Sequence, residues 1–195
     1  AAGLMRLINL GSPKELVFDE VYYVNGAQDY LRDGVETTAG KPEFVVHPPI
    51  GKWMIAAGIK IFGDNAFGWR ISTAIIGTLS IALMYLVARK LFHSHFLAMT
   101  AATLTTLDGL HLVMSRTALL DIFLMFFMLL GFLLILYEKH WLGSLSLGLA
   151  LATKWSALYF IIALVIYLIL AKKKIPYQYF FTIPIVYTAS WSGWF

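Results

Sequence analysis

Long apolar runs, broken or bounded by single charged residues, constrain this 195-residue chain more than any other feature. About 20 apolar residues suffice to carry a helix across a bilayer. Residues 67–87, 96–110 and 118–137 read as three such spans, and residues 179–195 as a last one. The run over 142–171 is too long for one crossing and too short for two joined by a loop. Lys154-Trp155 interrupts it, which predicts two short or tilted helices turning near Lys154. Charged residues make up 13% of the chain and hydrophobic ones 59%, against roughly 25% charged in a soluble domain. The chain is therefore built for lipid. Residues 1–10 read as the last turns of a preceding span, so a part of a longer membrane protein is expected.

The distribution of charge says more than its sum of +4. Arg89, Lys90, Lys139, Lys172, Lys173 and Lys174 fall in three short loops, opposed there by Glu138. The positive-inside rule makes those loops cytoplasmic. Asp19, Glu20, His47, Lys52, Asp108, Arg116, Asp121 and Lys154 then gather on the other, extracytoplasmic face. Nucleic acid is excluded as a partner, because the basic loops are tiny and carry no aromatic platform. With no cysteine, neither a disulfide framework nor a thiolate metal site is available.

Residues 11–50 form the long polar stretch, and Pro13, Gly26, Gly34, Gly40, Pro42 and Pro48-Pro49 argue against one helix through it. A short helix over 19–32 shares the stripe Val21, Val24, Tyr30 and Leu31. Pro48-Pro49 holds an extended entry and then starts a helix over 50–62. That helix carries Lys52 and Lys60, is too short to span, and is expected along the interface with Trp53 at headgroup level. The fold class is all-α: a polytopic transmembrane helical bundle whose first extracytoplasmic loop, residues 11–66, carries interfacial helices, with the spans in 67–195.

Asp19 and Glu20 diverge by about 100° in a helix, so they do not form a face-to-face dyad. One is expected to point at a substrate while the other orients a partner or binds a cation; a solvated loop pair is the plain alternative. The apolar collar of Phe18, Val21, Tyr22 and Tyr23 favours a carboxylate tuned toward general-base work. His47, Lys52 and Arg70 each have an ordinary reading as packed or snorkelling side chains. Arg116 and Asp121 stand about 140° apart if one helix holds both. Lys154, at the apex of an apolar hairpin, requires an anion if buried. Several cations on one membrane face suit a phosphate, and a charge pair at ~4 Å is worth about 4 kcal/mol before desolvation.

On these residues the chain resembles the protein O-mannosyltransferase family, of the GT-C class of membrane glycosyltransferases. The resemblance is carried by Phe18-Asp19-Glu20, His47-Pro48-Pro49-Ile50-Gly51-Lys52, Trp69-Arg70, the stretch from Ser115 to Asp121, and Thr153-Lys154-Trp155-Ser156, in order. It extends to Ser190-Trp191-Ser192-Gly193-Trp194-Phe195 and looks closer to actinobacterial members than to fungal ones.

The resemblance implies an inverting transfer of mannose from polyprenyl phosphate mannose to Ser or Thr of secreted proteins, at the extracytoplasmic face of the cell membrane. It implies Asp19 as general base, with Glu20 positioning the acceptor or Asp19, and an Arg70 that is required for activity and expected among the substrate-binding residues. Arg116 and Lys154, then Lys52 and His47, are expected on the phosphate, with Asp121 also at the substrate. A divalent cation, Mg or Mn, is left open. Full-length members continue with further spans, so this chain is expected to be the N-terminal part of the catalytic domain. Two other readings remain: a GT-C transferase acting on a lipid or cell-wall glycan, and a transporter or assembly subunit using intramembrane charges.

Overall fold

The computed structural model describes residues 1–38, 41–43 and 46–194. Helices dominate: α1 Ala2–Leu7, α2 Glu20–Asp33, α3 Ile50–Phe62, α4 Ala66–Phe92, α5 His95–Leu107, α6 Gly109–Met114, α7 Asp121–Leu136, α8 His140–Leu151, α9 Ala157–Leu170 and α10 Gln178–Ser190. A small antiparallel ribbon, β1 Thr37–Thr38 with β2 Lys41–Pro42, lies between α2 and α3. The expectation of helices over 19–32 and 50–62 matches α2 and α3 closely.

Among the described helices α4 is the one long and apolar enough to cross a bilayer by itself. Its 27 residues rise about 40 Å, and Asn65 caps it by accepting hydrogen bonds from the Phe67 and Gly68 N–H groups. Helices α7 and α9 are apolar but shorter, with 16 and 14 residues. The run over 142–171 does break in two, with the turn at residues 152–156.

Three of the expected spans are corrected; the last, over 179–195, is helical as α10 only to Ser190 and ends in a single 3-10 turn at Ser192–Trp194. The run over 96–110 is not one helix, because α5 stops at Leu107. Asp108 turns extended there, and its carboxylate accepts the His111 N–H at 2.6 Å to begin α6. The span expected from 118 starts at Asp121 instead. The Ala118 N–H is taken by the Glu20 carboxylate at 2.7 Å, so residues 115–120 bend around that acid. Arg116 and Asp121 are therefore not on one helix, and the 140° separation does not apply.

Helix α4 packs against α1, α3, α5 and α7, while α7 packs on α8 and α8 on α10. The loop helices seal the top: Tyr23, Val24 and Ala27 of α2 and Ile55, Ala56 and Ile59 of α3 bury against Leu119, Leu120, Phe123, Phe127, Ala150 and Ala157. The Ile50 N–H donates to the Ala152 carbonyl at 3.0 Å, tying the start of α3 to the α8–α9 turn. Helices α3 and α4 meet on two glycines. A Cβ on Gly58 or on Gly68 would collide with the carbonyl of Gly68 or Gly63 respectively.

Candidate active site

Glu20 sits in the first turn of α2, fully buried, and acts as a knot. Its Oε1 accepts from Arg70 Nε at 2.7 Å and its Oε2 from Arg70 Nη2 at 2.7 Å, a bidentate pair. Oε2 also accepts from the Val17 N–H at 2.9 Å, and Oε1 from Ala118. Arg70 donates its remaining N–H groups to the carbonyls of Leu10, Pro13 and Glu15. All five of its donors are thus used within the protein. The expectation that Arg70 contacts substrate is corrected: it is a positioning residue, enclosed and without a donor to spare. Glu20 is likewise closed to an acceptor and ties α2, α4 and the 115–120 bend together.

What Glu20 positions is Asp19. Phe18 precedes it at φ +54°, a left-handed conformation that costs a non-glycine residue about 1–3 kcal/mol. The Asp19 carbonyl accepts the N–H groups of Tyr22 and Tyr23. Its carboxylate, half-buried, caps nothing and accepts no hydrogen bond from the described residues. An acid held on a rigid frame yet chemically free suits a group that must take a proton.

Around Asp19 the structure gathers residues from three distant segments. His47 lies between the rings of Tyr23 and Trp155, at centroid distances of 6.1 and 6.4 Å. Lys154 donates to both oxygens of Asp121, at 2.8 and 3.0 Å. Burial pushes the Tyr23 hydroxyl up to about 12, reinforced by Asp19 and Asp121. Burial, then Lys154 and Lys52, push the His47 imidazole below its usual 6.5, against the opposing pull of Asp121 and Asp19. These mutual influences place Asp19, Tyr23, His47, Asp121 and Lys154 in one electrostatic neighbourhood.

The other two cations are engaged by partners of their own. Lys52 is buried in α3 and bridges Glu36, with its Nζ also reaching the His47 carbonyl at 3.5 Å. It neither snorkels toward headgroups nor presents its charge to a ligand, and this too corrects the expectation. Burial pushes Lys52 down and Glu36 up, against the pull each exerts on the other. Arg116 donates from Nη1 to the Met5 carbonyl at 2.7 Å and stays half-buried. It lines a hollow of about 190 Å³ shared with Ser12, Pro13, Val17 and Arg70.

Two groups escaped the sequence reading. Glu36 has no local signal, but a lysine in a short apolar helix requires an anion, and the preceding loop was the place to seek it. Arg6, in what looked like an apolar stub, is fully buried and bonds His111 Nδ1 at 2.7 Å; a cation in an apolar run is itself the signal. Among the described residues no three Asp, Glu or His side chains cluster to hold a metal ion. The divalent cation left open by the resemblance therefore finds no protein cage in them.

A sequence model described as dolichyl-phosphate-mannose-protein mannosyltransferase matches residues 2–190. A polyprenol-phosphate-mannose–protein mannosyltransferase of Mycolicibacterium smegmatis is 37% identical, covering 83% of this chain and 38% of that protein. Its Mycobacterium tuberculosis counterpart is 35% identical, with 83% and 37% covered. An undecaprenyl phosphate-α-4-amino-4-deoxy-L-arabinose arabinosyl transferase of Pseudomonas aeruginosa is 32% identical, over 77% of this chain and 29% of that protein. The chain spans well under half the length of these relatives. With a match along almost all of its own length, it belongs to the dolichyl-phosphate-mannose-protein mannosyltransferase family.

Proposed function

We propose that the protein is an inverting glycosyltransferase of GT-C type that moves mannose from polyprenyl phosphate mannose to Ser or Thr hydroxyls of secreted polypeptides. It does so as a multi-pass membrane protein whose site faces away from the cytoplasm. The observation that carries this reading is the Asp19 carboxylate, framed by the Glu20–Arg70 knot and accepting no hydrogen bond from the described residues, in the electrostatic neighbourhood of Lys154·Asp121. The outward-facing Phe96, Leu104, Tyr159, Leu170 and Phe180 support burial in lipid, and Lys172–Lys174 support a cytoplasmic loop on the opposite side.

In the reaction Asp19 takes the proton of the acceptor hydroxyl, and that oxygen attacks the anomeric carbon. The bond from this carbon to the phosphate oxygen breaks, and the electron pair leaves with a phosphate that becomes a monoester. One displacement inverts the anomeric centre. Lys154 and Arg116 are the half-buried cations available to the growing negative charge. Asp121 holds Lys154 until the phosphate competes for it, and His47, neutral between Tyr23 and Trp155, shapes the wall of the site.

A second reading changes the acceptor to a lipid or cell-wall glycan. The Pseudomonas relative favours keeping it open, since it too is named for a polyprenyl-linked sugar phosphate, while its name, unlike those of the mycobacterial relatives, gives no protein acceptor. Membranes carrying the whole protein, given labelled polyprenyl phosphate mannose with a Ser/Thr peptide or a lipid extract, separate the two. Label in the peptide supports the proposal; label confined to lipid overturns its acceptor. A parallel arm with chelator shows whether a divalent cation takes part.

A further inference from the structure

A cleft of about 510 Å³ opens between α5, α6 and α7. Its walls are mostly apolar, with Leu104, Met114, Ile122 and Met125 beside His111 and Asp121. His111 is its unusual member. The side chain is more than nine-tenths buried, and its Nε2 has no hydrogen-bond partner among the described residues. Its Nδ1 lies 2.7 Å from Nη2 of Arg6. A guanidinium has donors and no acceptor, so Nδ1 accepts and the ring proton of the neutral imidazole sits on Nε2. Burial and the Arg6 charge both push the His111 pKa down, opposed by Asp108, which agrees with the neutral ring.

Arg6 pulls electron density through the imidazole, which makes the Nε2–H a better donor toward an anion. The two acids lining the cleft are already engaged. Asp108 caps α6 through the His111 N–H, and Asp121 holds Lys154. An apolar trough lined in part by His111, whose polarised N–H is unmatched and covered, fits a molecule that joins a hydrocarbon chain to an anionic group once a small shift of the wall uncovers that N–H.

Resting on the transferase reading above, we infer that His111 is a ligand-contacting residue: its Nε2–H donates to the phosphate of the polyprenyl donor, whose first isoprene units lie along the α5–α6–α7 cleft. Arg6 is then a positioning residue that fixes the tautomer.

Two substitutions divide the roles of the two ring nitrogens. Asparagine places its amide oxygen near Nδ1 and keeps the Arg6 bond, but loses the Nε2–H. Glutamine places an amide N–H near Nε2 and is the poorer partner for Arg6. In membranes carrying the whole protein, normalised to folded protein, His111→Asn is expected to raise KM for polyprenyl phosphate mannose about tenfold. The KM for peptide and kcat should change little, and His111→Gln should restore most of the donor KM. The reverse pattern, with Asn near wild type and Gln impaired, would make His111 a partner of Arg6 alone and overturn the inference. Binding of labelled, sugar-free polyprenyl phosphate separates this from the reading beneath it. If wild type transfers no mannose, the transferase reading fails, and weaker retention of that lipid by His111→Asn still supports the contact; equal retention by both variants and wild type overturns it.

Discussion

Arg70 is charged, buried and saturated, so its removal has two separable effects. Replacing it with methionine leaves Glu20 as an unpaired buried acid, and breaking such a pair costs about 3–5 kcal/mol. Arg70→Met should therefore lower the thermal unfolding midpoint sharply in detergent. Arg70→Lys keeps the charge but cannot serve five acceptors in a planar fork. Because Arg70 acts through Glu20 on Asp19, the lysine variant should lose kcat while KM for the donor stays close to wild type. A loss confined to donor KM would return Arg70 to the substrate. His47 supplies the pH test. Its folded pKa is depressed below 6.5, so the stability it contributes is present above 6.5 and is lost as pH falls through the lower, folded value. Lys154→Met removes the larger of the two cationic pressures on the ring and leaves Asp121 beside it. Both changes raise the His47 pKa toward its unfolded value, so the acid loss of stability should become smaller and be complete at a higher pH, and His47→Asn should abolish that step. Thermal melts across pH 4 to 7.5 (roughly the range where imidazoles and carboxylates titrate) would read it.

The close approach of α3 to α4 sets where Trp69 and Arg70 lie relative to α2. It rests on Gly58 and Gly68, whose missing Cβ atoms let backbone meet backbone. Gly68→Ala puts a methyl against the Gly63 carbonyl, which has no side-chain freedom with which to yield. A destabilisation of about 1–3 kcal/mol is expected, read as a lower unfolding midpoint; an unchanged midpoint would show that the two helices can part without cost. The same region shows what the sequence could and could not reveal. Helix α3 was legible because Pro48-Pro49 and Gly63 bracket it, and the α8–α9 break because Lys154 interrupts an otherwise apolar run. The starts of α6 and α7 were not. Both are set by carboxylates taking backbone N–H groups, Asp108 locally and Glu20 from 98 residues away, and hydropathy cannot register a bond of that kind. Asp19, Asp121 and Lys154 were legible as isolated charges beside apolar runs, and His47 as a lone histidine before Pro48-Pro49. The roles of Lys52 and Arg70 were not, since nothing local shows that Glu36 and Glu20 neutralise them.

Across the whole molecule, pairing organises the charge. Glu20 meets Arg70, Glu36 meets Lys52, and Asp121 meets Lys154. The first two pairs are buried: Glu20–Arg70 fastens the first loop onto α4, and Glu36–Lys52 ties that loop together; the third is partly exposed, at the neighbourhood where Asp19 accepts no hydrogen bond from the described residues. Buried pairs are costly to assemble and costly to break, so they make a rigid frame, and the half-exposed pair is the one a charged ligand can enter. The proposed chemistry follows from that division between frame and open carboxylate. The most direct test is mannose transfer from polyprenyl phosphate mannose to a Ser/Thr peptide by the whole protein carrying Asp19→Asn, a substitution that keeps size and removes the base. Unfolding and donor binding should be unchanged, with turnover reduced at least about 100-fold. Turnover within a few-fold of wild type would contradict the proposed chemistry.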